Sequence, residues 1–559
     1  MLARGCFLGV LILMMLLASC SANKFSTAGE SLFGKYLIGR HAENQGNMHI
    51  ATEQLADVFE QENTLELLNH LFFLYLASGD FSNTHSLAVR LLESESDNTS
   101  VSMFLGLYAL KANNYSEALS IFGSLENTAA GEWVSPIVSA WILQQMQQPE
   151  EAKTAITSIQ EGNTLVGFRY FHEALMSDLA GDVVEAEERY LLAIETVNGA
   201  VLRFIEGYGN FLERQGRTNE ARGFYEERLQ TNAFEQGLWE ARSRAIDRGE
   251  IPEPMVRGGL EGIAELFYGI FALLSFEGRD DVTLAYLPYL RFALFLRPEL
   301  HEARLLLGEQ YEQFEFFDSA LESYNAIPET SPYYINAQAR IAEIYKETEK
   351  NDEALETLLR LNEEIPDSRV ATLALAAFYR IHERYDEAIA TYSSVIDALG
   401  SPSRGDWAVF YGRAVAYERS NRWPEAEEDL KIAMRLSGEH PFVLNYLGYS
   451  WVEQGEQLNL ALNMLKKATQ ERPQNGFIVD SLGWAYYKLG DFDKASHYLE
   501  RAVELEPDDP IINDHLGDSF WQSGRKLEAR FQWRRALLLD PEEEEIAVIE
   551  EKLLHGLSP

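Results

Sequence analysis

A 34-residue recurrence near the C-terminal end constrains this chain more than any other feature. Leu482-Gly483-Trp484-Ala485-Tyr486 is followed by Ala495, Leu499, Ala502 and Pro507. Thirty-four residues later stand Leu516-Gly517, Phe520, Ala529, Trp533, Ala536 and Pro541, at the same spacings. One unit earlier, Leu447-Gly448, Trp451, Ala461, Leu465, Ala468 and Pro473 repeat the pattern with one extra residue in the turn. The spacings have a helical cause. Leu482, Gly483 and Tyr486 fall three to four apart and share a face of one helix, and Ala495, Leu499 and Ala502 do so on a second. Gly490-Asp491 between them supplies a C-terminal stop, and the proline after the second helix forbids its continuation. Small residues at the eighth and twentieth positions let the two helices cross closely.

Taking the twentieth position as a marker, the register runs through Ala51, Thr84, Ala118, Ala152, Ala186 and Ala221. It resumes at Tyr286, Ala320, Ala354, Ala388, Ala426, Ala461, Ala495 and Ala529, 14 units in all. The eighth position is Gly or Ala in 12 of them, from Gly39 and Gly106 to Gly483 and Gly517. The unit of Thr84, with Phe72 at its eighth position, departs from the pattern. So does the unit of Tyr286, with Leu274 there and Pro288 expected inside its second helix. The pattern resembles the tetratricopeptide repeat. The resemblance implies an all-α solenoid, a right-handed superhelix of antiparallel helix hairpins with about 14 repeats in two arrays. The expected boundaries are residues 32–235 and 267–541, joined by an irregular helical segment at 236–266 where the register is lost. Residues 542–559 are expected to form a capping helix, with Ile546, Ile549 and Leu553 on one face covering the last apolar surface.

The first residues carry a different signal. Met1-Leu2-Ala3-Arg4, an apolar run from Phe7 to Ala18 and then Ser19-Cys20 have the layout of an export signal. Roughly 12 apolar residues are too few to cross a bilayer, which takes about 20. Leu17-Ala18-Ser19-Cys20 resembles the bacterial lipobox, which implies a signal peptide over 1–19, lipidation of Cys20 and a polar tether over 20–31. Ser21, where an Asp commonly marks inner-membrane retention, implies the periplasmic face of the outer membrane of a Gram-negative cell. An ordinary cleaved signal, or a cytoplasmic adaptor whose N-terminus is not an export signal, are the other readings.

The chain carries 47 Lys+Arg against 88 Asp+Glu, a net charge of −41. Binding of nucleic acid is excluded in bulk, because it needs clustered cations; a salt-adapted proteome is another source of so acidic a surface. The only cysteines are Cys6 and Cys20, so the rest of the chain has no disulfide, thiolate ligand or cysteine nucleophile. Gly448-Tyr449-Ser450-Trp451-Val452 begins like a nucleophile elbow but lacks the final glycine and sits within a repeat helix. No phosphate loop or His-Glu-x-x-His spacing occurs, and no cofactor, metal or enzymatic activity is expected.

Proteins with this repeat commonly bind a peptide along the second, fifth, ninth and twelfth positions of their first helices. In the last three units those positions hold Phe442, Asn445, Tyr449 and Val452, then Phe477, Asp480, Trp484 and Tyr487, then Ile511, Asp514, Asp518 and Trp521. The candidate groove is Asn445, Tyr449, Asp480, Trp484, Tyr487, Asp514, Asp518 and Trp521. Aromatics edged by carboxylates suit a peptide with apolar anchors and basic flanks. The expected function is a lipid-anchored interaction scaffold serving envelope assembly or export. The alternative is the substrate-binding arm of an exopolysaccharide or peptidoglycan enzyme system.

Overall fold

A computed structural model of the chain describes residues 31–94, 98–126, 128, 131–160, 165–196, 201–228, 233–276 and 286–557. The expected signal peptide and Cys20 lie outside the described residues, as does the tether except for Ser31 at its end. Among the described residues are 30 α-helices, one short 3-10 turn and no strand. The fold is an all-α tetratricopeptide-type solenoid. Twenty-eight helices pair as 14 antiparallel hairpins, and Ala233–Asp247 and Glu543–His555 stand apart from the pairing.

Close approach within each hairpin follows one rule. The glycine at the eighth position faces the side chain four residues beyond the marker at the twentieth. A Cβ on Gly517 would lie 2.4 Å from Trp533, on Gly209 2.1 Å from Tyr225, on Gly308 2.4 Å from Tyr324 and on Gly106 2.7 Å from Phe122. The twelve alanines at the twentieth position are all buried. The turn between the helices needs a left-handed residue, which Gly490 supplies at φ 81° and Gly524 at φ 80°. The Thr84 unit is a regular hairpin, Leu65–Ser78 with Phe81–Ser94. Thr84 is fully buried there, and its hydroxyl donates to the Asp80 carbonyl at 2.7 Å, which satisfies the polar atom. The Tyr286 unit differs from expectation. Tyr286 precedes the second helix Leu287–Leu296, so Pro288 falls in the first turn, where no hydrogen bond is lost.

The chain divides into two compact units, 1–361 and 362–559. The expected joint at 236–266 holds most of the helix Ala233–Asp247, an irregular stretch and the first turns of the helix Gly259–Phe276. That helix and Leu287–Leu296 form a hairpin inside the first unit, packed on the first helices of the preceding repeats. Gly262 lies against Trp141 and Gly269 against Phe168, ninth- and second-position residues, and a Cβ would come within 2.2 and 2.6 Å of them. Phe295 packs on Phe81 and Phe104, and Lys111 donates to its carbonyl at 2.8 Å. Along these four repeats, from Leu65–Ser78 to Val166–Ala180, the face expected to stand open is therefore covered by the chain's own apolar hairpin. Beside it, the Arg203 guanidinium is buried and donates to both oxygens of Glu265 at 2.8 and 2.6 Å.

The second unit has five hairpins. Their first helices are Arg369–Ile381, Trp407–Arg419, Pro441–Gln454, Gly476–Lys488 and Pro510–Gln522. Their second helices are Tyr385–Ala398, Trp423–Ser437, Leu458–Glu471, Phe492–Leu505 and Lys526–Leu538. Asn475 and Asp509 cap two first helices, accepting from the amides of Ile478 and Ile512 at 3.0 and 2.8 Å. The final helix Glu543–His555 packs on Lys526–Leu538 and buries Ile549.

Two glycines separate crowding from intrinsic helix preference. Gly517→Ala should cost about 1–3 kcal/mol, because its methyl meets Trp533. Gly223→Ala meets nothing within 4 Å in Thr218–Arg228 and should gain up to about 1 kcal/mol. Urea unfolding of the two variants should shift in opposite directions.

Candidate functional site

The first helices of the second unit bring the sequence-predicted groove residues onto neighbouring turns, but these residues meet different fates. Trp484 is only 7 % exposed. Its indole stacks on Tyr487 at 4.6 Å and on His515 at 3.9 Å, both near parallel. Its Nε1 donates to Glu453. With both ring faces taken, Trp484 shapes the wall and offers no stacking surface. Asp480 is buried as well, and His515 Nδ1 donates to its two oxygens at 3.0 and 3.1 Å. Burial alone would lower the His515 pKa; the carboxylate of Asp480 outweighs it, and the pKa is raised.

The last predicted row is engaged by the final helix. Lys552 Nζ donates to Asp514 at 2.5 Å and to Asp518 at 2.9 Å. Trp533 Nε1 adds a bond to Asp518 at 2.9 Å. Burial, with the neighbouring Asp514 charge, pushes the Asp518 carboxyl up to about 6. Trp521 packs on Trp533 at 5.3 Å and closes against Gly556, where a Cβ would be 1.9 Å from the indole. Asp514, Asp518 and Trp521 are thus held within the chain.

Asn445 and Tyr449 are the predicted residues left most available. Asn445 is half-buried on Pro441–Gln454, and its Oδ1 is buried without accepting a hydrogen bond from any described residue. Tyr449, one turn on, is also half-buried. Its hydroxyl pKa is raised, first by burial and then by the charges of Glu453, Asp480, Glu418 and Glu545. The field around it is negative, and the start of the final helix contributes to it. Preceding repeats extend the surface with residues missed in the sequence. Tyr446 donates to Glu418 at 2.9 Å and meets Tyr411 edge-on at 5.6 Å. Glu418 and Tyr411 stand at the twelfth and fifth positions of their unit, so carrying the same register one repeat earlier finds them. Lys552 and His515 gave no such signal. Among the described residues no group of three or more His, Cys, Asp or Glu has the geometry to hold a metal ion. No described helix is long and apolar enough to cross a membrane.

Residues 340–403 and 481–544 match the family model of the tetratricopeptide repeat. The chain carries tetratricopeptide repeats. Over 93 residues, 17 % of this chain, it is 28 % identical to a tetratricopeptide repeat-containing protein of Pseudomonas aeruginosa, and the match spans 16 % of that protein's length. Among solved structures it is similar to the Cut9–Hcn1 hetero-tetramer of the APC/C, at 14 % identity over 94 % of this chain and 96 % of that one, with a TM-score of 0.38. It is also similar to a tetratricopeptide repeat protein from Parabacteroides merdae, at 15 % identity over 45 % of this chain and 97 % of that one, with a TM-score of 0.36. Tetratricopeptide repeats suggest a protein-interaction scaffold, and the surface around Tyr449 combines aromatic edges with carboxylates.

The His515–Asp480 pair has a definite pH signature. A histidine whose folded pKa is raised contributes stability that is fully present below its unfolded value, about 6.5, and lost as pH rises through the folded value. Asp480→Asn should lower the His515 pKa, read from the ring C–H resonances by NMR. It should also remove this part of the fall in the second unit's stability above pH 6.5.

Proposed function

We propose that this protein is a lipid-anchored interaction scaffold facing the periplasm from the outer membrane, serving envelope assembly or export by holding other proteins. Binding falls to the first helices of the second unit, since four first helices of the first unit, Leu65–Ser78, Thr99–Lys111, Gly131–Gln145 and Val166–Ala180, are covered by Gly259–Phe276 and Leu287–Leu296. The observation that carries this reading is the half-buried Tyr449 in a field of carboxylates, on the same helix as the exposed Phe442. The charges of Glu418, Glu453 and Asp480 around Tyr449 favour a peptide with basic groups flanking an apolar anchor.

The anchor rests on Leu17-Ala18-Ser19-Cys20, followed by Ser21. Several acyl chains give stable anchoring where one is marginal. The 11 residues from Ser21 to Ser31 reach at most about 40 Å, which keeps the repeats near the membrane and raises local concentration there.

Two experiments test the two halves separately. Radiolabelled palmitate should enter the wild-type protein and not Cys20→Ala, which should move from the outer-membrane to the soluble fraction. An unlabelled wild type would end the anchoring half. Asn445→Ala and Tyr449→Ala should each reduce recovery of co-purifying partners about tenfold. Unchanged recovery would remove the groove and leave the anchor untouched.

A further inference from the structure

On a chain with almost twice as many acids as bases, the last second helix inverts the balance. From Arg525 to Leu538 stand Arg525, Lys526, Arg530, Arg534 and Arg535 against Glu528 alone. Its inward side is ordinary for the repeat, with Ala529, Trp533 and Ala536 buried. Its outward side is not. Leu527 and Leu538, 83 % and 84 % exposed, are the most exposed large apolar side chains among the described residues, and Phe531 is 63 % exposed. At 100° per residue Leu527, Phe531, Arg534 and Leu538 fall within one narrow arc. Over about 16 Å they form a single stripe.

Beside Phe531 lies a recess of about 390 Å³, its apolar wall formed by Val503, Leu516 and Phe520. The three carboxylates at its rim are each paired with a guanidinium: Glu500 and Glu528 share Arg525 at 2.7 and 3.0 Å, and Glu504 meets Arg501 at 2.9 Å. Arg534, in the middle of the stripe, pairs with no described residue. Arg534 is thus a cation without a counter-charge on a chain that is strongly negative as a whole.

We propose that this face docks an acidic amphipathic helix of a partner protein. One apolar side chain of that helix enters the recess beside Phe531, and a carboxylate pairs with Arg534. The spacing of Leu527, Phe531 and Leu538 gives the one-turn and multi-turn anchors that helix-on-helix packing uses. An anionic bilayer fits less well, because a flat surface leaves the recess empty and the net charge of −41 opposes approach. A second copy meeting through the same helix would set Arg534 and Arg535 against their own counterparts. This surface lies on a second helix and does not depend on the groove beside Tyr449.

The test uses the full-length protein in its own cells, with a photoreactive benzophenone amino acid replacing Leu527. Protein adducts are expected, and the partner peptides recovered from them should be acidic and helical in pattern. Arg534→Glu should reduce the yield at least fivefold, whereas Arg534→Lys, which keeps the charge, should hold it. Any of four results would overturn the assignment: adducts to lipid alone, adducts to this chain alone, a yield indifferent to Arg534→Glu, or a yield no higher than from the same group at Val184. That residue is 79 % exposed on a second helix of the first unit and serves as the control.

Discussion

Where the two helices of a hairpin cross, a glycine or alanine of the first gives up its volume to a large side chain of the second. Gly517 under Trp533, Gly209 under Tyr225 and Gly308 under Tyr324 are the same contact in different repeats. With the buried alanine one turn before the large residue, it sets the separation of the helices at the distance of backbone against ring. Everything further out depends on that separation. The faces that stack one hairpin on the next, and the row of first-helix positions available for binding, keep their register only while each pair crosses at the same depth.

The two units use that row in opposite ways. In the first, the apolar helix Gly259–Phe276 lies across it, with Gly262 and Gly269 leaving room for Trp141 and Phe168. The core there runs without interruption from the first repeats to residues beyond 340. In the second, the row is filled by polar pairs. His515 with Asp480, and Lys552 with Asp514 and Asp518, satisfy buried charges that would otherwise be costly. What stays open lies around Asn445 and Tyr449, where the field is negative, and at the exposed second-position residues Phe442, Phe477 and Ile511. Apolar burial closes one face and charge pairing trims the other, so a repeat fold with many equivalent positions is left with few usable ones.

Tetratricopeptide architecture was legible because its cause is local. Gly483 and Leu499 are 16 residues apart, and their contact recurs with the period of the sequence, so the small residues report it directly. The 14 hairpins, the turn at Gly490 and the paired faces of each unit follow from that period. Even the Thr84 repeat, which breaks the small-residue rule, folds as a regular hairpin because its hydroxyl is satisfied within its own helix. The Tyr286 unit was harder to read, since its helices pack on distant repeats and obey those contacts instead of the internal ones. Asn445, Tyr449, Glu418 and Tyr411 stand at positions the period predicts.

By itself the sequence determined the helices, their pairing, the crossing residues and the acidic character of the surface, because each depends on neighbours within one or two repeats. Only the tertiary structure decided which first-helix positions are free. Gly259–Phe276 is apolar whether it joins two arrays or lines one, and Lys552 is a cation whether it faces solvent or two aspartates. The partners that distinguish those cases lie far away along the chain: Trp141 is 121 residues from Gly262, and Asp514 is 38 residues from Lys552. Such distances leave no periodic trace, because each contact is made once.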